Sequence, residues 1–141
     1  MTTAAVVTLQ GYVAGVLGQP WLWGATDCVS LLRGALRAHR GSDVFSEAPA
    51  WYTDERTAVE VLRATGGPIQ WLRERGWSEV QLSGAQTGDV VVEPQRQAAG
   101  MPSVGMVLPS GVFLSSSQET GPVLRALFGA QGAAYVLREA G

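Results

Sequence analysis

Cys28 is the only cysteine of the chain, and it stands directly after Asp27 at what reads as the start of a helix. A helix N-terminus favours the thiolate, and the thiolate is the species that attacks. An unperturbed thiol with a pKa near ~8.5 is only a few per cent ionised at neutral pH, so a working nucleophile also needs a base. Peptide chemistry needs an acid for the leaving amine as well. The chain has one histidine, His39, eleven residues further along the same predicted helix. At ~1.5 Å per residue that is ~16 Å along the axis, against the ~3 Å of a nucleophile–base hydrogen bond. His39 therefore reads as a cation at a helix C-terminus, where positive charge is favoured. Read from pattern alone, Cys28 is a small buried hydrophobe. Asp27 reads as the helix N-cap and Asp89 as a carboxylate fixing a turn by bonds to nearby amides.

The elements around these residues follow from periodicity. Val6, Leu9, Val13, Val16 and Leu17 predict an amphipathic helix over 3–17, ended by Gly18 and Pro20. Cys28, Leu32 and Leu36 share one face of a helix over 28–40, with Arg33, Arg37 and Arg40 on another and Gly41 at its end. Residues 42–52 read as irregular. A third helix is capped by Thr53 or Asp54 and stopped by Gly66-Gly67, and a short fourth has Pro68 at its first position. After Gly76 the pattern changes to short β-type runs: "GDVVVEP", "SVGMVLPSGVFLSSS", "GPVLRALF" and "AAYVLREA", with "PSG" at 109–111 as a hairpin turn. Strands are expected at 88–93, 103–108 and 111–116. Helices first and an antiparallel sheet last make an α+β layout, with the helices packed on one side of the sheet.

The 141 residues suit one domain, 1–141, with 46% hydrophobic residues to build a core. Only 16% are charged, against ~25% in typical soluble domains. All ten basic residues are arginine and the net charge is −2, which offers no basic surface for nucleic acid. A surface this poor in charge resembles the centre of a protein–protein interface, so residence in a larger assembly is expected. A lone cysteine and a lone histidine leave no internal disulfide and too few ligands for a structural zinc site; no metal and no cofactor is expected. The apolar N-terminus has no basic residue before it and is interrupted by Gln10, so neither a signal peptide nor a membrane span is expected. Trp21, Trp23, Trp51, Trp71 and Trp77 read as core or hydrophobic rim before they read as a groove.

Three landmarks in this order resemble the NlpC/p60 superfamily of papain-like cell-wall peptidases. "WGATDCVSLL" is similar to that family's Asp-Cys helix start, "TGDVVV" to its Gly-Asp strand opening, and "SVGMVLPSGVFLSSS" to its histidine-bearing hairpin. The resemblance runs from about residue 10 to 138 and implies N-terminal helices on a C-terminal antiparallel sheet. It is nearest to a branch carried by long-tailed phages among their tail genes. It places Cys28 at the nucleophile position, Ser103 where the family has its histidine, and Ser115 at the third position that orients it. Neither serine hydroxyl shuttles protons as an imidazole does, so all three are expected to be vestigial.

The function this implies is structural. The expected role is an inactive component of a phage or phage-like tail tip, assembled in the host cytoplasm and resident in the virion tail. Its partners would be other tail or particle proteins and peptidoglycan. The alternative is an active cysteine peptidase or amidase that cuts peptidoglycan peptides as a particle enters its host, with a histidine given by a neighbouring chain. A cytoplasmic thiol enzyme of unrelated pathway is a third class.

Overall fold

The structure is a computed structural model, and it describes residues 8–42, 44–47, 53–98, 101–130 and 134–140. Helix α1 spans Leu9–Val16, α2 Cys28–Arg40, α3 Glu55–Thr65 and α4 Pro68–Glu74. Six strands follow: β1 Trp77–Val80, β2 Val90–Ala98, β3 Met101–Leu108, β4 Val112–Ser117, β5 Gly121–Ala126 and β6 Tyr135–Glu139. They form one sheet in the order β1-β6-β2-β3-β4-β5, and every neighbouring pair is antiparallel. The α+β layout with helices first is thus the one the periodicity predicts.

Local chemistry explains where the helices begin and end. Asp27 caps α2 by accepting the Ser30 amide at 3.2 Å, and Gly41 ends it in a left-handed conformation. For α3 the cap is Asp54 rather than Thr53. Its carboxylate takes the Thr57 amide while the Thr57 hydroxyl takes the Asp54 amide, a reciprocal capping box. Pro68 occupies the first turn of α4 as expected. The predicted start of α1 falls partly on residues 1–7, outside the described residues, as does Trp51. The irregular stretch 42–52 contains one short turn of 3-10 helix, Val44–Glu47, whose Phe45 is fully buried.

Sheet residues alternate between two apolar clusters, as the two-residue side-chain period requires. Val90, Val92, Val104, Met106, Leu108, Leu114 and Leu137 face the helices, where they meet Leu31, Leu32 and Leu36 of α2 and Leu72 of α4. Val91, Val107, Phe113 and Val136 point to the other face and pack with Leu127. Trp71 and Trp77 belong to the helix-side core, whereas Trp21 and Trp23 are half-buried and stack edge-to-face with ring centres 4.6 Å apart. Strand β1 was not expected from the sequence. It is four residues long, an edge strand pairing only with β6, and too short to show an alternation.

Gly105, in the middle of "SVGMV", is required by a close approach of strands. A Cβ there would lie 2.2 Å from the Leu114 carbonyl oxygen, a backbone atom that cannot swing away. Gly105→Ala is therefore expected to push β3 from β4 and lower stability by about 1–3 kcal/mol, the usual range for overpacking. A urea titration measures this; an unchanged midpoint would show that β4 moves without cost.

Candidate functional site

Cys28 opens α2 at the end of a tightly bonded loop. The Leu22 carbonyl accepts the amides of Ala25, Thr26 and Asp27 at 3.0–3.2 Å. The Thr26 hydroxyl donates to the Pro20 carbonyl at 2.6 Å and accepts the Leu22 amide at 2.8 Å. Asp27 is 2% exposed, and its second oxygen takes the Gly24 amide and the Ser30 hydroxyl, both at 2.7 Å. Strand β4 ties in through Ser116, whose hydroxyl donates to the Thr26 carbonyl at 2.6 Å. The thiol is thus delivered to the sheet by a loop whose polar groups satisfy one another.

At the sheet the thiol meets β3. The Ser103 hydroxyl, the Val104 backbone amide and the Val29 amide of its own helix lie near enough to the thiol to favour its charged form. Regular pairing of β3 with β4 covers only Met106–Leu108, so around Val104 the β3 backbone pairs with β2 and is open to the thiol. Cys28 keeps some solvent exposure as a residue. Its sulfur is nonetheless crowded, and burial pushes the thiol up to about 11; the Asp27 charge adds to the rise, while Val104, Val29 and Ser103 oppose it. Helix-start activation is outweighed by loss of water.

The sequence-predicted residues are placed as follows. Ser103 lies beside Cys28, where its hydroxyl favours the thiolate. Ser115 is 1% exposed on β4, and its hydroxyl makes no hydrogen bond, so it is joined by none to Cys28 or to Ser103. The β4 hydroxyl that does reach the Cys28 loop is that of Ser116, one residue on. Of the three serines in "LSSS", Ser116 shares the helix-facing side of β4 with Leu114, whereas Ser115 shares the side of Phe113. His39 is exposed near the far end of α2, with its imidazole against Gly88. Asp89 does fix its turn, accepting the Gln86 amide at 2.8 Å. It also takes a two-pronged bond from Arg138 at 2.9 and 2.7 Å that the sequence did not disclose. Among the described residues no group of three or more His, Cys, Asp or Glu side chains is placed to hold a metal ion.

Asp27 and the thiol interact through charge, which gives a test. Asp27→Asn keeps a capping oxygen while removing the negative charge that disfavours the thiolate. Alkylation of Cys28 at pH 8 is expected to speed up about threefold, the scale of one partly screened charge. An unchanged or slower rate would show that Asp27 acts on the loop alone.

The fold is that of a known group. RipD from Mycobacterium tuberculosis, described as a non-catalytic NlpC/p60 domain protein with an adaptation to peptidoglycan-binding function, superposes with a TM-score of 0.51 over 98% of each chain at 13% identity. No curated protein sequence matches the chain significantly. A likeness at that identity concerns architecture, and the architecture here is NlpC/p60-like. By sequence, the chain belongs to the family described as "Domain of unknown function (DUF6950)", whose profile matches residues 4–136.

Proposed function

We propose that this chain is a catalytically inactive NlpC/p60-like domain that binds peptidoglycan and serves as a structural component of a phage or phage-like tail tip. The observation that carries the reading is the partner of Cys28. A serine hydroxyl stands beside the thiol, the thiol is pushed up to about 11, and the chain's single histidine sits near the other end of α2. A hydroxyl neither takes the thiol proton near neutral pH nor protonates a leaving amine. RipD, of the same architecture, is described as non-catalytic and adapted to binding peptidoglycan, which supports carrying the binding role here. The tail-tip role rests on the resemblance of the motifs to the phage-borne branch. It is supported by a charge content of 16% and by the exposed apolar side chains of Leu22, Leu124 and Phe128, 55%, 45% and 76% accessible. Assembly would take place in the host cytoplasm, with the product in the virion tail.

One observation favours the second reading, an active peptidase or amidase. The Asp27-capped helix start is intact around Cys28, so a base from a neighbouring chain would find a thiol in position. Incubating purified chain with peptidoglycan sacculi separates the two. The proposal expects the protein to pellet with the sacculi and to release no peptides. Release that Cys28→Ala abolishes would overturn inactivity, and failure to pellet would overturn binding. Mass spectrometry of purified particles tests the tail assignment, which falls if the chain is absent from them.

A further inference from the structure

An open groove of about 420 Å³ lies between the α3–α4 junction and the start of β3. Its apolar wall is Leu62, Pro68, Ile69 and Pro102, and Arg73 lines it with Gln70. Pro102 is the residue before Ser103, so the groove ends beside the strand position that contacts the Cys28 thiol. Gly66 and Gly67 also line it, both at positive φ, 81° and 96°. A Cβ on Gly66 would fall onto the Gln70 side chain, and one on Gly67 would lie 3.0 Å from a Leu62 methyl. The two glycines thus keep this part of the groove clear of side chains at a turn that L residues adopt only with strain.

Arg73 gives the groove its sign. Among the described residues its guanidinium makes no hydrogen bond. It has one ion pair, with Glu79 at 3.6 Å, beyond hydrogen-bonding distance, and it lies over the Tyr135 ring at 5.7 Å. Its side chain is 44% exposed. A guanidinium carries five donors in a fork that fits a carboxylate two-pronged. The other polar side chain, Gln70, is engaged with Glu74 at 3.1 Å. The groove therefore combines an apolar wall with one half-exposed cation that is loosely paired with Glu79 and makes no hydrogen bond among the described residues, so a ligand carboxylate would share or displace that pair.

We infer that this groove binds a short peptide with small apolar side chains and a free carboxylate, the carboxylate pairing with Arg73. This deepens the peptidoglycan-binding reading and rests on it for the source of the peptide, since peptidoglycan stem peptides carry small side chains and free carboxylates. It separates the binding site from the thiol: ligand lies along α3–α4 and reaches the Cys28 region only at Pro102.

The test titrates the isotopically labelled full chain with a soluble stem tetrapeptide, and with the same peptide amidated at its carboxylates. Amide shifts are expected to concentrate at residues 62–73 and at Ser103. Amidation of the peptide, or Arg73→Met in the protein, is expected to weaken binding about tenfold, with a thermal melt confirming that the variant folds. No binding of the tetrapeptide, or binding that neither change weakens, overturns the groove. Pelleting with sacculi is read in parallel and judges the peptidoglycan reading by itself: a chain that pellets equally well with and without Arg73 keeps that reading and loses this one.

Discussion

At neutral pH, Cys28 in the folded chain is expected to react with iodoacetamide about thirtyfold more slowly than a free thiol. The reason is arithmetic on ionisation. Raising a thiol from ~8.5 to about 11 cuts its thiolate fraction about 300-fold. The remaining thiolate is more nucleophilic, because reactivity rises with basicity at a Brønsted slope near ~0.4–0.5, which returns about tenfold. The rate should keep climbing with pH until about 11, where a free thiol has long levelled off. Ser103→Ala removes a neighbouring hydroxyl that favours the thiolate and should slow the reaction further. The same shift has a consequence for stability. The folded state holds the proton more tightly than the unfolded chain, so this contribution is complete below the unfolded thiol pKa. It is lost as pH rises from there toward about 11. Cys28→Ala should flatten that part of the profile. Alkylation at the rate of a free thiol, with a pH midpoint near 8.5, would remove the physical basis for an inactive site.

Arg125→Ala is expected to destabilise the chain by about 3–5 kcal/mol, the range for breaking one side of a buried ion pair. The Arg125 guanidinium donates to Glu93 at 2.6 Å, where the carboxylate is 2% exposed and the arginine side chain 18%. It also donates to the Gly129 carbonyl at 3.2 Å and lies 5.0 Å over the Phe113 ring. Glu93 is on β2 and Arg125 on the edge strand β5, with β3 and β4 between them. Their contact binds the curl of the sheet, and Glu93 is the cross-strand partner of Ser103 beside the thiol. Without the arginine, the buried Glu93 carboxylate loses the short charge-assisted bond that Arg125 gives it. With Glu93→Gln added, the charge is gone, so the double variant should recover much of the loss. Urea titrations of the wild type, both single variants and the double variant measure the coupling. A loss under about 1 kcal/mol for Arg125→Ala would mean that solvent reaches the pair and that it contributes no more than a surface ion pair.

Glycines and caps explain why so much of the helical half was legible. The stops at Gly41 and Gly66, the Asp27 cap and Pro68 at the start of α4 act within a few residues of sequence, so their types declare them. Strands β2, β3, β4 and β6 were legible because each presents one face to the helices and one to a second cluster, which imposes alternation on the residues themselves, and β5 was legible from the turn residues that bound it. Strand β1 was not, because four residues with one buried side chain carry no pattern. Which of Thr53 and Asp54 caps α3 depended on the Thr57 hydroxyl turning back to the chain, a geometric choice between two acceptable residues.

The sequence by itself determined the α+β layout, the placement of the only cysteine at a helix start, and the absence of a second histidine to serve it. These are properties of residue type and near spacing. Tertiary structure alone decided what surrounds the thiol and which charges meet. Ser103 reaches Cys28 across 75 residues of chain because β3 is left open to it above Met106, and Ser116 rather than Ser115 bonds the Cys28 loop. Arg125 finds Glu93 over 32 residues and Arg138 finds Asp89 over 49. The physical reason is common to all four. A hydrogen bond or ion pair forms within about 3 Å, and the order of strands in a curled sheet, which no local signal encodes, sets which distant side chains come that close.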